Sequence, residues 1–297
     1  MKVIGIDFTS RPSRRKPITA LSCSLEEGTL TAGELEWWPG FAAFEEMLAA
    51  PGPWIAGIDF PFGQACRFID TIGWPQNWAD YVRHARSLGR DGFRRTLDAY
   101  RAERPAGDKE HRRATDRAAG SISPQKLFGV PVGLMFFEGA PRLLRSGVTV
   151  PHLHDGARDR IVVEAYPGVV ARRLIGRRSY KNDTRRKQTL DQFLARKALF
   201  DELVARGPEL YGLAIDADPS LCDDPGADQL DALLCAVQAA WSWGRRGDAY
   251  GAPRCPDARE GWIADPMVSA ATSMTSTSGP EDERDATVCQ EPGAPQG

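Results

Sequence analysis

The order of apolar runs in this 297-residue chain predicts an α/β fold built on a mixed central sheet, three antiparallel strands and then parallel ones, flanked by helices and carrying an Arg-rich helical insertion. Three observations carry that expectation. Two apolar runs end on the same four residues, Gly5-Ile6-Asp7-Phe8 and Gly57-Ile58-Asp59-Phe60. Between them, two further runs are joined by the tight turn Glu26-Glu27-Gly28, which makes an antiparallel meander with the first. The run at 54–60 shows no polar alternation, the mark of a strand buried on both faces, as in a parallel pair.

Residues 2–8 form the first strand, followed by a polar loop, and 18–25 and 29–38 complete the meander. Residues 41–50 carry apolar side chains at 41, 44, 47 and 48, a helical spacing, and Pro51-Gly52-Pro53 ends the helix. The strand at 54–60 precedes an Arg-rich, helical stretch from 66 to 120. The segment 121–139, with its Ser-Pro-Gln-Lys-Leu-Phe-Gly-Val-Pro-Val-Gly core, is too rich in Gly and Pro for a helix and too apolar for a free linker. It is expected to pack across the sheet. A fifth strand at 160–166 is followed by helices at 168–175 and 184–206. The strongest helix is 228–243, apolar at 230, 233, 234, 237 and 241. Residues 262–264 form a small edge strand. The expected organisation is one domain over 1–266 with an insertion at about 66–150, and a disordered tail over 267–297, which is Ser, Thr, Pro, Gly and acid with little to bury. This element order is that of an RNase H-like fold.

Composition excludes more than it selects. Apolar residues at 42% and charged residues at 26% are ordinary for a globular chain, and the formal net charge of −2 argues against a uniformly basic nucleic-acid coat. Charge is unevenly placed, however. Residues 83–117 carry a local net of +5, residues 172–187 a net of +7, and residues 209–265 a net of −7. Basic segments beside an acidic region suit a protein that holds phosphates near a carboxylate cluster, although solvated helix faces explain any one of them. The six cysteines show no CxxC spacing, and no secretory or membrane-spanning run is present, so the expected setting is reducing and cytoplasmic, with no membrane partner.

Acidic residues at core edges are the informative feature, because a buried carboxylate is costly unless paired. Asp7 and Asp59 each stop an apolar strand, and Pro61 holds Phe60 extended so that Asp59 is aimed. Glu164 lies in Ile161-Val162-Val163-Glu164, just before Tyr166-Pro167-Gly168, and needs either a cation or an Arg. Asp228 and Asp231 share one face of the strongest helix. Asp228 is also a natural helix cap, whereas Asp231 is a full turn in and is the better ligand. All-oxygen donors choose Mg²⁺ or Mn²⁺ over zinc, and a pair of such ions serves phosphodiester cleavage. The expected metal ligands are Asp7, Asp59, Asp228 and Asp231, and the expected catalytic set is Asp7, Asp59, Glu164 and Asp231. Lys181, Arg177, Arg178 and Arg185 are the candidate phosphate contacts, with Arg112, Arg113 and Arg117 as a second patch. Trp74 and Trp78 are candidates to stack on bases, although packing under a loop is the commoner use of such residues.

GIDFTSRP at 5–12, GIDFPFG at 57–63, SPQKLFGVPVG at 123–133, EAYPG at 164–168, DQLDALLCA at 228–236 and EGWIADP at 260–266 together resemble the domain of unknown function 429 family of predicted RNase H-like nucleases. The resemblance covers nearly all of 1–266. The strand-end acids and paired helix acids also look like the four-carboxylate site of Holliday-junction resolvases, which implies metal positions at Asp7, Asp59, Asp228 and Asp231. Asp59 stands where those enzymes usually carry a Glu, and Glu164 has no clear counterpart there. The function so implied is metal-dependent hydrolysis of nucleic-acid phosphodiesters. One alternative is an ATP-binding phosphotransferase of the actin, sugar-kinase and Hsp70 class. It is weakened because the loop Asp7-Phe8-Thr9-Ser10 lacks the phosphate-loop glycine of that class and Pro61 blocks the second loop. The other is a non-catalytic nucleic-acid-binding or interaction protein on the same fold.

Overall fold

A computed structural model of the chain describes residues 1–182 and 184–275, with the side chains of Arg185 and Thr275 outside the description. Its centre is a seven-stranded sheet in the order β5-β6-β4-β1-β2-β3-β7. The strands are β1 (Lys2–Asp7), β2 (Ile18–Glu26), β3 (Thr29–Trp38), β4 (Trp54–Ile58), β5 (Val148–Thr149), β6 (Ala157–Glu164) and β7 (Ala214–Asp216). β2 pairs antiparallel with β1 and β3, and every other pairing is parallel, so β2 alone runs against the rest. The mixed α/β architecture is therefore the one the sequence predicts. The two- and three-residue edge strands β5 and β7 are additions too short to leave a periodic signal.

Strand alternation divides the core in two. Val3, Ile55, Ile161 and Val163 point into one layer, with helices α7 (Pro167–Ile175), α8 (Leu190–Tyr211) and α9 (Asp228–Gly244). Ile4, Ile6, Phe8, Ala56, Ile58 and Val162 point into the other, with α1 (Phe41–Ala49), α2 (Cys66–Ile72), α3 (Trp78–Ser87), α4 (Gly89–Ala102) and α6 (Val132–Ser146). A short α5 (Ala114–Ala119) and a final α10 (Pro266–Thr275) pack on each other.

Helix α6 contradicts the expectation that 121–139 avoids helix. It begins at Val132, straight after Pro131, and contains Gly133, Gly139 and Pro141. These residues lower its propensity but serve its packing: a Cβ on Gly139 would lie 2.3 Å from the Phe60 ring. Burial on nearly every side, rather than propensity, holds this helix. Helix α8 starts later than expected because Thr189 and Gln192 form a reciprocal capping box, and a short 3₁₀ turn at Arg185–Lys187 precedes it. The expected strand at 262–264 is a single parallel bridge from Ile263 to Glu164. Helix α10 carries order nine residues past 266, with Val268 buried; the rest of the expected tail, 276–297, lies outside the described residues. Trp74 and Trp78 are buried, and Trp78 donates its indole N–H to the Phe62 carbonyl at 2.7 Å, so both are packing residues.

Candidate active site

The repeated Gly-Ile-Asp-Phe is built by strand alternation. Gly5 and Gly57 face α9 so closely that a Cβ on Gly5 would stand 1.8 Å from the Ala232 carbonyl oxygen, and one on Gly57 2.3 Å from that of Cys235. Ile6 and Ile58 turn the other way into the opposite core. Two residues beyond each glycine, Asp7 and Asp59 return to the α9 face. The strands are in register, Gly5 with Gly57 and Ile6 with Ile58, and the Asp59 N–H donates to the Ile6 carbonyl at 3.0 Å. The two carboxylates therefore leave adjacent strand ends at the same level. The glycines bring the helix in, and its first turn carries Asp228 and Asp231.

Each of the two helix acids has a lysine. Lys16, from the loop after β1, pairs with Asp228 at 2.6 Å. Asp231 is fully buried; it accepts from the Tyr180 hydroxyl at 2.8 Å and pairs with the Lys181 ammonium. The Lys181 side chain is 42% exposed, with its charged end on the buried acid. Asp231 and Tyr180, together with Asp7, hold that ammonium well above its ordinary value, outweighing the desolvation that opposes it. Asp228 is not the cap: Ala227 occupies that position at φ +60°, and Asp224 accepts from the Asp228 N–H at 2.8 Å.

Among the described residues, Asp7 and Asp59 have no hydrogen-bond or salt-bridge partner for their carboxylates. Burial, with Asp231 beside it, pushes Asp59 up to about 7 against the pull of Lys181. Burial, Asp231, Asp228 and Asp59 raise Asp7 well above the carboxylate range, again against Lys181. Two acids in such a position lack a cation in direct contact. Asp7, Asp59 and Asp228 line one open cavity of about 860 Å³, together with Thr9, Arg15, Lys16, Lys181 and Gln188, while Asp231 is fully buried behind its lysine. Among the described residues, no three carboxylate, His or Cys side chains stand together as metal ligands, and Asp228 and Asp231 are paired with their lysines. The donor chemistry, all oxygen with two unpartnered carboxylates, fits a hard divalent cation.

Glu164 belongs to a different construction. It pairs in register with Ile58 rather than Asp59, so alternation sends it to the opposite face. Arg113 grips it with two nitrogens at 2.5 and 2.7 Å and grips Asp116 with two more contacts at 2.9 Å, while the Phe62 N–H donates to it at 2.8 Å. All three side chains are buried, so Arg is the partner that Glu164 required, and Arg113 is locked away from any phosphate. Burial raises Glu164, opposed by Arg113.

Arg177 and Arg178 are exposed on the turn after α7, with no partner among the described residues; the Arg185 side chain lies outside them. Two features escaped sequence reasoning. Lys16 sits in a loop with no local signal. The other is the packing role of Gly5 and Gly57, whose only signal is a small residue two before each acid, which puts a close helix and the acid on one face. No helix of the described residues is long and apolar enough to cross a membrane.

Comparison with curated proteins and with solved structures found no match. The model of the family described as Protein of unknown function (DUF429) matches residues 5–258, a span that takes in both Gly-Ile-Asp-Phe strands, the Arg113 triad and all of α9. The chain belongs to that family.

Proposed function

We propose that this protein is a divalent-cation-dependent phosphodiesterase acting on nucleic acid, on an RNase H-like scaffold. One observation carries the reading: Asp7, Asp59 and Asp228, from two strand ends and one helix start, line a cavity that also holds Arg15, Lys16 and Lys181, with Asp231 buried on the same helix turn, and Asp7 and Asp59 make no hydrogen bond or ion pair among the described residues. The strand order β3-β2-β1-β4-β6 with β2 alone reversed supports the scaffold assignment. Asp7 and Asp59 would hold Mg²⁺ or Mn²⁺, with Asp231 joining once Lys181 releases it and Asp228 once Lys16 does. A bound divalent ion supplies charge neutralisation at phosphate and a more acidic water. The chain's own cations then have a second task. Lys181 and Lys16, displaced from carboxylates, stand beside the cavity and can take phosphate oxygens, while the exposed Arg177 and Arg178 extend that basic edge along the backbone. The phosphotransferase alternative gains nothing, since Thr9 and Pro61 stand at the two positions where Asp-x-Gly phosphate loops need glycine.

The test is calorimetric titration of Mn²⁺ into the wild type, Asp7→Asn and Asp231→Asn, followed by cleavage assays on branched and single-stranded DNA and RNA. The expected result is micromolar-to-millimolar binding lost in both variants, with cleavage lost in parallel. A folded wild type that neither binds Mn²⁺ nor cuts any substrate overturns the proposal.

A further inference from the structure

Beside the acidic cavity lies a second one of about 310 Å³, and the two share Asp59, Val130, Met135 and Lys181 as a common wall. The two differ in chemistry. The second is lined by Phe60, Ile122, Val132, Met135 and Tyr166, and the Tyr166 ring packs against Gly168, where a Cβ would lie 2.7 Å from the ring. Of its charged lining, Asp116 and Glu164 are both held by the buried Arg113 fork, and Asp59 and Lys181 lie only at the wall shared with the acidic cavity. A mostly apolar space with aromatic walls, its charges confined to the Arg113 fork and the shared wall, suits a flat, neutral ring better than a free phosphate, which loses too much hydration there. Its shared wall places such a ring one step from whatever occupies the acidic cavity. A molecule that joins a charged diester to a flat neutral ring is a nucleotide within a strand.

We propose that this cavity receives an unpaired nucleobase next to the phosphodiester held at Asp7 and Asp59, so that the substrate class is nucleic acid with an extruded or single-stranded nucleotide at the point of attack. The inference rests on the phosphodiesterase reading above. A stacked duplex keeps every base out of reach of the pocket, and a mismatch, gap or branch lowers the cost of turning one out. Val130, exposed at the common wall, and the chain from Ile122 to Val132 form the rim that the base passes.

The experiment compares Mn²⁺-supported cleavage of a duplex carrying one unpaired adenine with cleavage of the same duplex carrying an abasic analogue at that position. The wild type and the cavity-filling variants Ile122→Trp and Val132→Trp are used; both positions are half-buried at the rim, and circular dichroism checks their folding. A parallel arm uses unpaired 2-aminopurine in the same duplex and follows its fluorescence on binding without metal. The expected result is at least tenfold preference for the base-containing substrate in the wild type, falling to near unity in both variants, with 2-aminopurine quenched only by the wild type. Equal cleavage of the two substrates by the wild type overturns the base pocket and leaves the phosphodiesterase intact. No cleavage of either, with 2-aminopurine still quenched and the quench lost in the variants, keeps the pocket and overturns the phosphodiesterase. No cleavage and no quench overturn both.

Discussion

Replacing Asp59 by Asn should stabilise the metal-free protein, and the gain should grow with pH. The folded-state value of Asp59 is raised from 3.8 to about 7 by burial and by Asp231. A carboxyl whose folded value lies above its unfolded value binds more protons in the folded state, so stability falls as pH rises between the two. Below about pH 3.8 both states are protonated and the residue contributes nothing. At pH 5 the penalty is about 1.6 kcal/mol, and above pH 7 it levels off at a ceiling of about 4 kcal/mol. Water reaching the partly exposed side chain lowers that ceiling. Asn has the same shape and no charge, so the difference in urea-unfolding free energy between Asp59→Asn and wild type, measured in EDTA from pH 4.5 to 8.5, should rise from about 1 to between 2 and 4 kcal/mol and then flatten. Added Mn²⁺ should reverse the order, stabilising the wild type and not the variant. A difference independent of pH, or a variant less stable than wild type at pH 8, would refute the account of Asp59 as an acid lacking its cation.

Other expectations follow from the same geometry. Arg113→Met leaves Glu164 and Asp116 buried without a cation and should cost about 3–5 kcal/mol by urea unfolding; Arg113→Lys, which cannot make the fork, should recover less than half. Gly5→Ala drives a methyl into the Ala232 carbonyl and should destabilise by about 3 kcal/mol or prevent folding, seen as loss of soluble cooperative unfolding. Lys181→Met frees Asp231 from its ammonium and should tighten Mn²⁺ by about tenfold in calorimetry, roughly 1.4 kcal/mol, while slowing cleavage. Tyr180→Phe removes a donor to a buried charge and should cost about 1.5–3 kcal/mol by urea unfolding.

What could be seen in the chain before the structure followed from signals that repeat or persist. The strand-end acids, the meander and α9 all rest on long apolar patterns, and the structure has them at the expected places. Helix α6 was invisible because its Gly and Pro residues answer to neighbours, Phe60 among them, that lie far away in sequence. Glu164 looked like a companion of Asp7 and Asp59, since an acid at the end of an apolar strand is the same local pattern. Only the register, one residue short of Asp59, sends it to the other face and to Arg113. Lys16 carries no local signal at all, because its role is set by a helix 212 residues later in the chain.

The register of β1 with β4 has a consequence for how this family can diversify. Asp7 and Asp59 sit on neighbouring rungs of one sheet, so their separation is set by the inter-strand repeat of about 4.8 Å and not by any loop. The rim from Ile122 to Val132, by contrast, belongs to connecting chain and the opening turn of a helix. Chemistry is thus written into the rigid part of the molecule and choice of ligand into the pliable part. Under the proposed function, substitutions at the rim would change which ligand is taken while the spacing of the two acids stays fixed by the backbone itself.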